Sequence, residues 1–117
     1  MTSADRRREL RAQYEQRRVE AGVYAVRNAV TGRVLIGSTT DIGAVRNRLE
    51  FAQTTGTSSV FDHRLAADVR EFGIGAFALD VLDELDVKPG TTPDDVRADL
   101  AALETLWREK LAGTPRY

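Results

Sequence analysis

The sequence predicts an α+β domain in which a small, mostly antiparallel sheet is covered by helices. Three observations predict it. Two β-branched and aromatic-rich runs, residues 23–27 and 33–36, flank the short loop "NAVTG", which ends in glycine. A third run, "FALDVLDEL", alternates apolar and polar residues and sets Phe77, Leu79 and Val81 on one side. Segments with apolar residues at helical spacing precede, separate and follow these runs. The resulting order is helix, strand, strand, helix, helix, strand, helix.

Residues 3–20, "SADRRRELRAQYEQRRVE", hold good helix formers and no Gly or Pro. Their apolar content is thin, so this is an exposed helix supported by pairs such as Arg11 with Glu15. Its six arginines make it a candidate arm for an acidic partner, or for docking on a second copy of the chain. The hairpin follows, and then Ser38-Thr39-Thr40-Asp41, four candidates for a helix N-cap. In the next helix Ile42, Val45, Leu49 and Ala52 form the apolar stripe. Arg46 and Arg48 flank that stripe on either side. After the loop "TTGTSS", Leu65, Val69 and Phe72 share one face of a third helix, and Gly73 stops it. Beyond the third strand, "DVKPGTT" is a loop. Thr92-Pro93-Asp94-Asp95 is a strong helix start: a capping hydroxyl, a proline in the first turn, and two acids at the positive end of the dipole. Val96, Leu100, Leu103, Trp107 and Leu111 form the cleanest stripe in the chain. "AGTPRY" reads as a tail.

The chain of 117 residues is long enough for one core and carries a net charge of −1. Without cysteine it has no disulfide framework and no thiolate zinc site. No apolar run reaches membrane-spanning length, and the charged N-terminus does not look like a signal peptide, so a cytoplasmic protein is expected. Residues 1–60 hold ten arginines and six acids, whereas residues 61–117 hold seven basic groups and twelve acids. That asymmetry suits a basic face able to meet phosphates, and it equally suits ordinary solvated surface.

The sequence has no phosphate-binding loop, no G-x-G-x-x-G, no H-E-x-x-H and no G-x-S-x-G. The single histidine, His63, cannot build an imidazole metal site. Glu104 sits at the edge of the apolar stripe of the last helix, where a carboxylate either pairs with an arginine or holds a hard cation. Tyr24, taken alone, is a half-buried strand aromatic.

Together these residues form a pattern. "GVY" and "LIGS" in a hairpin, then "TTD" opening an Arg-bearing helix, then "EFGIGAFALDVLDEL", then the Glu-x-x-Trp of "LETLWREKL", resemble a GIY-YIG domain over most of residues 21–111. The "RRELRAQYE" segment is similar to that of small stand-alone bacterial members. The resemblance implies a three-stranded antiparallel sheet flanked by helices over residues 21–117, with residues 1–20 as a charged helical arm. It also implies metal-dependent hydrolysis of nucleic-acid phosphodiesters, of DNA in preference to RNA. On that reading Tyr24 positions water, Arg46 or Arg48 binds the scissile phosphate, and Glu104 holds Mg²⁺ or Mn²⁺. Arg27, Arg33, Arg46 and Arg48 would meet the nucleic acid. Several positions depart from the family pattern. Leu35 stands where a second tyrosine belongs, Val45 at the arginine position, Leu49 at a frequent histidine, and Ser58 near another. Losing a water-positioning group costs about 10²–10⁴-fold in rate. Weak or lost activity is therefore expected, and the alternative is an inactive nucleic-acid-binding or protein-interaction module on the same fold.

Overall fold

The computed structural model describes residues 3–7, 20–56 and 62–117. Residues 3–7 are helical; the remainder of the expected arm, with the arginines between 8 and 19, lies outside the described residues, as does Ser58. Strands β1 (Ala21–Asn28) and β2 (Val34–Thr39) form the hairpin. Helix α1 (Ile42–Thr55) follows, and a short 3₁₀ turn (His63–Leu65) leads into α2 (Ala66–Phe72). A second 3₁₀ turn (Ile74–Ala76) opens β3 (Phe77–Leu85), and α3 (Pro93–Lys110) closes the order. The sheet runs β2-β1-β3 with both pairings antiparallel. The expected three-stranded antiparallel sheet flanked by helices is therefore the observed one.

Both faces of the sheet are buried. On one face Val26, Leu35 and Phe77 pack with Leu49 and Ala52 of α1 and with Leu65, Val69 and Ile74. On the other, Val23, Ala25, Val34 and Ile36 meet Leu103, Trp107 and Leu111. Ala21 continues that second face toward Val96 and Leu100. Strand β3 serves both sides through a bulge opposite Val23 and Tyr24. Leu82 packs beneath α3, and the adjacent Asp83 accepts a hydrogen bond from Trp107 Nε1 at 3.2 Å. The sequence pattern assigned β3 one inward face, Phe77, Leu79 and Val81; the structure adds Leu82 on the other.

The caps form as read. Asp41 accepts from the Ala44 amide at 3.0 Å, and Thr92 from Asp95 at 3.1 Å. Residues 112–117 differ from the expectation of a plain tail. The Val34 amide donates to the Pro115 carbonyl at 2.9 Å, and the Tyr117 amide donates to the Val34 carbonyl at 3.1 Å. This short parallel bridge covers part of the β2 edge. The Tyr117 hydroxyl donates to Asp68 at 2.6 Å, and Arg33 lies over its ring at 4.2 Å. The tail is held because an edge strand offers unpaired backbone groups and Tyr117 carries both a ring and a hydroxyl to anchor it.

Candidate functional site

Tyr24 projects from β1 toward its cross-strand partner, Gly37. A Cβ at Gly37 would lie 2.6 Å from the Tyr24 hydroxyl oxygen and 2.7 Å from Cζ. The bare glycine is thus what lets the ring lie across the outer strand. Burial pushes the Tyr24 phenol above its ordinary value of 10.0, the negative charges of Asp62 and Glu104 push the same way, and Arg48 and Arg64 oppose them. At neutral pH the hydroxyl therefore keeps its proton and is able to donate a hydrogen bond.

Glu104 reaches the same neighbourhood from α3. Its helix is fixed by the buried stripe of Leu100 and its neighbours, which leaves the Glu104 side chain 27% exposed at the margin. Glu104 Oε2 lies 3.5 Å from Arg108 Nε, one turn along. The other end of that guanidinium donates to the Ile36 carbonyl at 3.0 Å. Ile36 immediately precedes Gly37, so one arginine ties the Glu104 carboxylate to the strand beneath Tyr24.

A third component escaped the sequence reading. Asp62 caps the first 3₁₀ turn by accepting from the Arg64 amide at 2.9 Å. The same carboxylate clamps the Arg64 guanidinium, Nε to Oδ1 at 3.1 Å and Nη2 to Oδ2 at 2.8 Å. This fork lowers the Asp62 pKa and raises that of Arg64. Tyr24 and Glu104 both contribute to the field at Arg64. The sequence signal was an acid two residues before an arginine at a helix start, a spacing that caps and clamps at once.

The remaining candidates separate clearly. Arg48, exposed on α1, is the strongest charge acting on Tyr24. Arg46 is exposed about 200° around the helix and is not among the charges acting most on that phenol. Arg27 points to the face opposite Tyr24 and bonds Asp80 at 2.9 Å. Arg33 is held at the hairpin end by Asp68 at 3.4 Å and by the Tyr117 ring. Leu35 and Val45 are 3% and 2% exposed, so each fills core space. His63 is exposed beside Arg64. A hollow of about 660 Å³ lined by Glu20, Glu84, Asp86 and Lys88 contains none of the site residues.

Among the described residues no group of three or more carboxylates or imidazoles is placed to hold a metal ion. A single partly exposed carboxylate is the donor set of a hard cation that completes its shell with water and phosphate oxygens. Glu104 fits that requirement; Asp62, with both oxygens committed to Arg64, fits it less well.

No protein-family model matches the chain, and no curated protein matches it. Two solved structures do resemble it. One is the catalytic domain of intron endonuclease I-TevI in a single-substitution mutant, with a TM-score of 0.56 at 18% identity, covering 80% of this chain and 84% of that one. The other is the catalytic domain of homing endonuclease I-TevI, with a TM-score of 0.55 at 20% identity, covering 79% of this chain and 88% of that one. At such identity the likeness is one of fold, and the fold is GIY-YIG-like.

Proposed function

We propose that this chain is a nuclease-like protein that hydrolyses nucleic-acid phosphodiesters, with Glu104 holding a divalent cation, Mg²⁺ or Mn²⁺. The observation that carries the reading is the connection between Tyr24 and Glu104, eighty positions apart in sequence: the Tyr24 ring lies against Gly37, and Arg108 joins the neighbouring Ile36 carbonyl to the Glu104 carboxylate. DNA is the first substrate to test, since the similar structures are intron and homing endonuclease domains.

A bound cation would supply Lewis-acid stabilisation of the charge that builds on the phosphate oxygens. The chain's own groups do the rest. Tyr24, protonated at neutral pH, donates to a water or phosphate oxygen and orients it. Arg48, the strongest charge at the phenol, draws in the scissile phosphate. Arg108 holds the Glu104 carboxylate in place from behind.

The test incubates the full chain with labelled single- and double-stranded DNA and RNA, with Mg²⁺, with Mn²⁺, and with chelator. The expected result is cleavage that chelator abolishes and that Glu104→Ala removes. Metal-independent cleavage by pure protein would overturn the assignment.

A second reading is favoured by Leu35 and Val45, which carry no hydroxyl or guanidinium and fill core space instead. Under it the chain binds nucleic acid without cutting. Affinity that falls steeply with salt, and no product with either metal, would select this reading.

A further inference from the structure

Arg64 has five N–H donors. Asp62 occupies only one edge of the fork, Nε and one hydrogen of Nη2. Three donors remain on the far edge, and the side chain is 50% exposed. The clamp itself is well seated: the Asp62 carboxylate is only 18% exposed and is fixed a second time by capping the 3₁₀ turn. The result is an arginine whose long side chain has been ordered before any ligand arrives, with its open edge left for an anion. The segment that carries it follows Leu65 into the core on the Tyr24 face of the sheet. Meanwhile α1 turns Val45 inward, so that helix position offers no cation.

We propose that Arg64, held by Asp62, is a phosphate-gripping residue of this site, receiving a non-bridging oxygen of the nucleic-acid backbone opposite Arg48. The proposal rests on the hydrolytic reading above for its place in a reaction, but not for the contact itself. Two guanidiniums then flank the phosphate, one from α1 and one from the 3₁₀ turn. Asp62 is a positioning residue: it touches no substrate and sets the angle at which Arg64 meets it.

The test uses the full chain and a labelled DNA duplex. Affinity is measured against salt concentration without metal, and single-turnover cleavage with Mg²⁺. Arg64→Ala should flatten the slope of log affinity against log salt by about 0.9 and slow cleavage about 10²-fold. Arg64→Lys keeps a positive charge, so the slope should hold while cleavage falls, because an ammonium cannot make the fork. Asp62→Asn should likewise keep the slope and lower the cleavage rate, a split that simple unfolding would not give. Cleavage by wild type with Arg64→Ala unchanged in both slope and rate overturns this proposal and leaves the hydrolytic reading standing. No cleavage by wild type, with the slope still reduced in Arg64→Ala, overturns the hydrolytic reading and keeps the phosphate contact. Absence of any binding by wild type overturns both.

Discussion

Gly37 and Tyr24 are one structural decision made at two positions. The ring occupies the space a Cβ would take, and its end can swing away. Gly37→Ala should therefore displace the hydroxyl while leaving stability nearly intact, cutting cleavage much more than melting temperature. Gly22 behaves differently. A Cβ there would overlap the Asp83 carbonyl oxygen, which is backbone and cannot swing. Gly22→Ala should cost about 1–3 kcal/mol in chemical denaturation. Tyr24 and Glu104 could be named as candidates from the sequence because their flanking motifs are short and ordered along the chain. Arg64 could not, since its place beside Tyr24 depends on where a 3₁₀ turn lands after a loop, and no local spacing reports that.

At the scale of elements, α3 is the part that delivers the carboxylate. Its start signal and its stripe were readable because capping and helical periodicity are local properties. Leu100 is 4% exposed at the centre of that stripe, and Leu100→Ala should cost about 2–5 kcal/mol through lost burial and the cavity left behind. Arg108→Ala should change stability little and weaken metal-supported cleavage, because Glu104 loses its tether to the Ile36 carbonyl. The segment 112–117 was illegible for the opposite reason. "AGTPRY" has no periodicity, and its order comes from a strand edge, an aspartate and an arginine far away in sequence.

Across the whole molecule, the division into a basic first half and an acidic second half does not become two faces. Arg64 and Arg108 come from the acidic half and stand with Tyr24 and Arg48 from the basic one. Folding mixes the halves, so charge counted along the chain misjudges the site. The pH dependence of stability follows from three groups. Tyr24 is raised chiefly by burial, and Tyr117 by burial and its bond to Asp68. Both hold protons that the unfolded chain would release. The stability they contribute is intact below about pH 10 and is lost as pH rises through their raised values. Asp62 is lowered by its hydrogen bonds to Arg64. Its contribution is present above about pH 4 and is lost as pH falls through the lowered value. Denaturation profiles should therefore narrow at both ends, with Tyr117→Phe relieving part of the alkaline loss and Asp62→Asn flattening part of the acid loss.

The claim beneath all of this is that the β1 phenol and the α3 carboxylate belong to one site. Titration of the Tyr24 ring, followed by NMR with ¹³Cζ-labelled tyrosine, tests it without requiring activity. Glu104→Gln should move the Tyr24 transition to lower pH, and Arg48→Gln should move it to higher pH. A Tyr24 transition indifferent to Glu104→Gln would contradict the account.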